Sequence, residues 1–167
     1  MTINPSLTPI HLDFTTRKAS NEDCIEVQRL IFSVLKEYGL EPQPSSTDKD
    51  LFDLESNYKN GFFGIIEDGS KIVATFALFP LSEECVEIRK TYALPESRGK
   101  GLGRWMVKYL FQIAKENGFK EVELETASSL KEAIHLYKKV GFVEKKFENK
   151  TPRCDKAFIM KVKDLKF

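Results

Sequence analysis

Apolar residues recur along this chain with two periods, and the switch between them marks out the elements. Ile10 to Arg17 alternates apolar and polar positions, the mark of a half-buried strand, after a polar, proline-containing stretch over 1–9 that is expected to be a flexible tail. Ser20 with Asp23 three residues on resembles a capping box, and Val27, Leu30, Ile31, Val34, Leu35 and Tyr38 then recur at helical spacing up to Gly39. Pro42 to Ser46 reads as a loop, and Thr47 with Asp50 as a second cap, opening a short helix to about Tyr58. Phe62 to Glu67 and Lys71 to Phe79 flank an Asp68-Gly69 turn and predict a hairpin, and Cys85 to Leu94 is a third strand stopped by Pro95.

The second half alternates helix and strand. Leu102, Trp105, Met106, Tyr109, Leu110, Ile113 and Ala114 form one continuous stripe, which predicts an amphipathic helix closed by Gly118. Lys120 to Glu125 is the next strand, Leu130 to Val140 a helix ended by Gly141, and Phe142 to Phe147 and Lys156 to Val162 are the last strands. Antiparallel hairpins followed by alternating helices predict an α/β fold: a mixed, mostly antiparallel sheet flanked by helices. With 167 residues and no internal repeat or linker, the chain reads as one domain over 1–167, long enough to bury roughly 70% of the surface its unfolded form exposes.

Charge changes the picture because it is unevenly spread. The net charge is +1, yet residues 1–84 carry 7 Lys and Arg against 14 Asp and Glu, whereas residues 85–167 carry 19 against 11. A cationic half suits a polyanionic cofactor and an acidic half a cationic second substrate, although many of these side chains also serve to solvate helix faces. The overall balance and the lack of an aromatic-plus-basic strand argue against nucleic acid as a partner. Cys24, Cys85 and Cys154 are widely spaced, which disfavours a zinc or redox pair and fits a reducing, cytoplasmic setting. The longest apolar run, Ile72 to Leu81, is about half the length of a membrane span, so no membrane association is expected.

The densest chemistry lies in Arg98-Gly99-Lys100-Gly101-Leu102-Gly103, between a strand and the most periodic helix. Glycines at alternate positions let successive N–H groups approach an anion, and the helix start adds its unpaired amides and positive dipole end. A Walker loop is excluded, because Arg104 and Trp105 follow where a magnesium-binding hydroxyl is needed. A dinucleotide fingerprint is disfavoured because its third glycine would fall at Arg104.

What remains resembles motif A of the GNAT superfamily of acyl-CoA-dependent N-acetyltransferases, Arg/Gln-x-x-Gly-x-Gly/Ala after a strand, matched by Arg98, Gly101 and Gly103. Tyr92-Ala93-Leu94-Pro95-Glu96 stands where that family has the strand end before the loop, and Ala133 to Phe142 resembles its later Ala-x-x-x-Tyr-x-x-x-Gly-Phe motif. The similarity is close over about residues 85–142. It implies a central strand splay holding acetyl-CoA as cosubstrate, with the pyrophosphate on the backbone of Gly99, Lys100, Gly101, Leu102, Gly103 and Arg104, next to Arg98. Lys100 and Arg104 would add screened attraction or simply be solvated. Main-chain groups of Thr91, Tyr92 and Ala93 would receive the pantetheine arm and the thioester oxygen. Leu130 departs from the asparagine that family members often carry seven residues before the tyrosine, with Ser128 or Ser129 as substitutes.

The resemblance also implies a reaction: direct acetyl transfer to a primary amine of a small molecule or amino-acid derivative, without a metal. Tyr137 stands where the family has a tyrosine serving the departing thiolate, although it also lies on the apolar helix face with Leu130, Ala133 and Ile134. A side-chain amine with its ordinary pKa of about 10.4 is less than about 0.1% neutral at pH 7, so such an acceptor needs a base. Glu125 and Glu87 are both candidates, and a water chain is an alternative to either. Acceptor contacts would come from Tyr38, the loop to Ser46, and Asp48, Asp50 and Asp53, or from Arg89 and Lys90 if the acceptor carries a carboxylate. The resemblance leaves monomer or homodimer open, and a catalytically weak acetyl-CoA-binding sensor is the alternative function.

Overall fold

A computed structural model describes residues 13–148 and 152–165. The elements run β1 (Phe14–Lys18), α1 (Cys24–Glu37), α2 (Leu54–Asn57), β2 (Phe62–Asp68), β3 (Lys71–Pro80), β4 (Cys85–Ala93), α3 (Leu102–Glu116), β5 (Glu121–Thr126), α4 (Lys131–Val140), β6 (Val143–Lys145) and β7 (Lys156–Lys161). One seven-stranded sheet has the order β1-β2-β3-β4-β5-β7-β6, with β4 and β5 parallel and every other neighbouring pair antiparallel. The expected mixed, mostly antiparallel sheet flanked by helices is therefore present, and it is open.

Period-two alternation decides the faces. From β4 and β5, Val86, Ile88, Val122 and Leu124 point into a core shared with α3 and α4, where Leu102, Met106, Leu110 and Ile113 form the α3 stripe. Phe63, Ile65 and Ala77 point the other way, against Val27, Leu30, Ile31 and Val34 of α1. Each large apolar side chain buried this way contributes roughly 1.5–3 kcal/mol.

The local differences from expectation have simple causes. The first strand was expected from Ile10; residues 10–12 lie outside those described, as does the 1–9 tail, and pairing with β2 runs from Phe14 to Lys18. The Ser20 capping box forms but opens a 3-10 turn over Asn21–Asp23, so α1 begins at Cys24. The helix expected from Thr47 to Tyr58 is broken in two, a 3-10 turn (Lys49–Phe52) and α2, because Asp53 leaves helical geometry at φ −151° to accept the Ser56 amide.

The site depends on where β4 and β5 part. Their parallel pairing covers Cys85–Ile88 against Glu121–Leu124 and then stops, while β4 stays on β3 up to Ala93 and β5 stays on β7 up to Thr126. A wedge opens between them, walled by the last residues of each strand.

Candidate active site

The wedge is a cleft of about 340 Å³. One wall is Arg89 to Ala93, the other is Leu124 to Ala127, and α3 and α4 contribute Gly103, Met106, Leu136 and Tyr137. At its mouth lies the glycine loop. Gly99 and Gly101 take φ +74° and +80°, and a Cβ at either would meet nothing within 4 Å, so backbone conformation rather than crowding demands glycine there. Gly103 has the opposite reason: a Cβ would lie 3.3 Å from Leu136 Cδ2, so glycine lets α3 run close to α4.

The loop amides are available. The first helical hydrogen bond in α3 is donated by Trp105 N–H to the Gly101 carbonyl at 3.1 Å, and Arg98 N–H turns back to Pro95. Among the described residues, the N–H groups of Gly99, Lys100, Gly101, Leu102 and Gly103 find no main-chain acceptor. Five amides in an alternating left-handed turn at a helix start form an anion-binding concavity.

The cations around this loop divide. Arg98 lines the cleft but its guanidinium is a strut: Nε donates to the Ala93 carbonyl at 2.9 Å, and the two terminal nitrogens hold Glu37 at 2.6 and 2.9 Å. Lys100 extends away from the cleft, with its amine 5.5 Å from the Phe14 ring centre. Arg104 is exposed on the first turn of α3.

β4 carries the main irregularity of the sheet. Thr75 pairs with Tyr92 and Ala77 with Arg89, so Phe76 faces both Lys90 and Thr91 across a bulge. Lys90 adopts φ +50°, the sole non-glycine residue with positive φ among those described, a conformation that costs about 1–2 kcal/mol for an L side chain. Beyond Ile88, Thr91, Tyr92 and Ala93 have no strand partner on the β5 side, so main-chain groups there face the cleft.

Tyr137 is 7% exposed, packed edge-on against Phe142, and its side chain lines the cleft. Burial pushes its hydroxyl up to about 12, so it stays a proton donor at neutral pH. The two glutamates differ. Glu125 lines the cleft, and burial, with the nearby Glu87 charge added, raises its carboxyl above the usual range. Glu87 sits in an adjoining depression, where Arg89 Nε holds it at 2.7 Å while the Arg89 guanidinium lies 4.0 Å over the Phe79 ring.

The acidic residues after the Pro42–Ser46 loop have unequal roles. Asp53 caps α2 and accepts from Asn21, and Asp50 accepts from the Tyr58 hydroxyl. Asp48 is fully buried between Lys90 Nζ, at 2.6 Å, and a bidentate Arg153, at 2.7 and 2.9 Å. Burial alone would raise its carboxyl; the two cations outweigh it and hold the group far below the usual carboxylate range. Arg153 and Cys154 also line the cleft, and neither belongs to a sequence pattern that pointed to it. Leu130 lines the cleft as well, while Ser128 is occupied by Asp155, to which both its amide and its hydroxyl donate at 2.7 Å.

A family model for the acetyltransferase (GNAT) family matches residues 28–142, most of the chain and both motifs. The chain belongs to this family. It is accordingly an acetyl-CoA-dependent N-acetyltransferase. It is 34% identical over 133 residues to the Escherichia coli K12 protein described as an uncharacterized N-acetyltransferase, YjgM, covering 75% of this chain and 80% of that one. In fold it is similar to a GNAT acetyltransferase from Staphylococcus aureus Mu50, with a TM-score of 0.83 at 19% identity over 89% of this chain and 99% of that one. It is also similar to spermidine N-acetyltransferase from Vibrio cholerae in complex with CoA and spermine, with a TM-score of 0.65 at 20% identity over 92% and 98% of the two chains. Among the described residues no helix is long and apolar enough to cross a membrane, and no cluster of metal-ligating side chains occurs.

Proposed function

We propose that this GNAT protein transfers the acetyl group of acetyl-CoA directly to a primary amine of a small molecule or amino-acid derivative, using the wedge between β4 and β5. In this reading the diphosphate of the cosubstrate rests on the amides from Gly99 to Arg104, and the pantetheine arm follows β4 past Thr91, Tyr92 and Ala93. Glu125 takes the amine proton, and its raised carboxyl brings it nearer to neutral pH, where a general base works best. The amine nitrogen forms a bond to the thioester carbon, and main-chain N–H groups at the bulge hold the resulting oxyanion. Preorganised donors of this kind are worth about 3 kcal/mol in a transition state. The C–S bond then breaks and Tyr137 gives its proton to the departing sulfur, while the second amine proton, lost from nitrogen as the amide forms, restores the tyrosine hydroxyl by way of solvent. Glu87, already tied to Arg89, acts on Glu125 through its charge.

The observation that carries this reading is the continuity of one cleft from unpaired loop amides to Tyr137 and Glu125. An amine acceptor of small size is also in keeping with the Vibrio cholerae enzyme, whose complex holds spermine on a similar fold. The test is an amine panel assayed by release of the CoA thiol, run beside a melting screen with acetyl-CoA. Ligand at a hundred times its Kd stabilises the fold by about 2.7 kcal/mol. Turnover with an amine supports the transferase, and binding without turnover across the panel supports the sensor.

A further inference from the structure

Lys90 combines features that its position in a strand does not require. Its backbone is left-handed, its side chain is buried, and its amine reaches out of the sheet to the Thr47 carbonyl at 2.9 Å and to Asp48 at 2.6 Å, with Asp50 at 3.3 Å. Asp48 is in turn gripped by Arg153, so three segments far apart in sequence meet on one carboxylate. On its other side the same residue is held by Thr75, a fully buried hydroxyl that donates to the Lys90 carbonyl at 2.7 Å. The bulge is thus clamped from both directions, by its side chain and by its carbonyl. Strained backbone persists only where its surroundings over-determine it, and such places cluster at functional sites.

We propose that Lys90 is a positioning residue for acetyl transfer: its amine, anchored on Asp48 and buttressed by Arg153, sets the β4 bulge so that the main-chain groups of Thr91 to Ala93 point into the cleft. This rests on the transferase reading above. Between Arg89 and Tyr92 the strand takes in an extra residue, and the direction of every following N–H and C=O depends on how that residue turns. A bulge without an anchor can slide along the strand or flatten against β3, and a displacement of about 1 Å at an oxyanion donor costs roughly 10²-fold in rate. The amine is engaged by the Thr47 carbonyl, Asp48 and Asp50 in the segment before α2, so its effect on the reaction travels through the backbone. Asp48 and Arg153 do more than neutralise each other: Arg153 lines the cleft while holding the carboxylate that holds Lys90, so a cleft wall and the bulge share one support.

The test uses Lys90→Gly, which accepts the left-handed backbone without strain but removes the amine, beside Lys90→Arg, which can still reach Asp48. Turnover is measured per acetyl-CoA binding site, so that misfolded molecules do not count. The expected result for Lys90→Gly is a kcat lowered roughly tenfold or more with the Kd for acetyl-CoA changed less than about threefold, the signature of an interaction that matters in the transition state. Lys90→Arg is expected to recover a large part of the loss. Wild-type kcat in folded Lys90→Gly would overturn the proposal, as would an equal loss of cosubstrate affinity and turnover. If the glycine variant binds no acetyl-CoA, Lys90→Met decides by the same comparison, because its stem fills the space the lysine leaves. Wild-type protein measured alongside separates the two readings: no turnover by the wild type defeats the transferase itself, whereas active wild type with equally active variants defeats only the role of Lys90.

Discussion

Arg98 grips Glu37 through both terminal guanidinium nitrogens, at 2.6 and 2.9 Å, and thereby ties the glycine loop to the end of α1. The family motif includes this arginine, and here its charge is spent on a protein carboxylate that it holds below the usual range.

Glu37→Gln is therefore expected to weaken acetyl-CoA binding by about 1 kcal/mol, in the range of a partly exposed bidentate pair, and Arg98→Ala by more, since it also loses the bond to the Ala93 carbonyl. Calorimetry on both variants checks this. Unchanged affinity in Glu37→Gln would mean that the tether to α1 does not hold the loop.

Gly101→Ala is expected to cost about 1–2 kcal/mol of stability through its φ of +80° alone, since its Cβ would meet no neighbour. Gly101→Asp adds a negative charge and bulk at the loop and should abolish acetyl-CoA binding. Melting curves with and without acetyl-CoA distinguish the two effects.

Tyr137→Phe should lower kcat roughly 10²-fold while leaving acetyl-CoA affinity nearly intact, as loss of a proton donor does. Its hydroxyl, pushed up to about 12, remains protonated through the ordinary working range, so no alkaline limb below about pH 10 should be due to it. An unchanged kcat would return Tyr137 to a packing role. The same shift bears on stability. A tyrosine whose folded pKa exceeds its unfolded value near 10 contributes fully below that value and loses the contribution as pH rises toward 12.

Acid should slow the reaction through Glu125. A base acts deprotonated, so kcat/KM is expected to rise with pH through an inflection above the ordinary glutamate value, and Glu125→Gln should remove that inflection along with most of the activity. Asp48 moves in the opposite direction. Its depressed carboxyl contributes stability that is present above the unfolded aspartate value and is lost as pH falls toward its folded one, so acid unfolding should be blunted in a variant lacking the Asp48 cluster.

Tyr109 stacks on Trp105 with ring centres 5.2 Å apart, and its buried hydroxyl finds no partner among the described residues. Tyr109→Phe should therefore be neutral or stabilising by up to about 1 kcal/mol, readable from denaturant midpoints.

Local pattern made much of this fold legible. The α3 stripe and the hairpin turn at Asp68-Gly69 are read from residues a few positions apart, and the structure places both as expected. The glycine loop was legible for the same reason, because alternate glycines before a helix leave a mark within six residues. The break at Asp53 was not, since a helix period and a cap compete there and tertiary packing of Leu51, Leu54 and Tyr58 decides between them. The Asp48 cluster was least legible. Asp48 and Arg153 are 105 positions apart, and no periodicity links a loop aspartate to an arginine between the last strands. The sequence offers Asp48 only as an acceptor contact, because the cations that bury it arrive from β4 and from the approach to β7.

The central claim is that the loop amides carry the cosubstrate, and nitrogen-15 labelling of glycine tests it most directly, since the chain has only nine glycines to resolve. On titration with acetyl-CoA, the amide resonances of Gly99, Gly101 and Gly103 should shift together and saturate at one equivalent, while Gly118, beyond the far end of α3, stays in place. If acetyl-CoA binds and those three amides do not move, the diphosphate sits elsewhere and the account is contradicted.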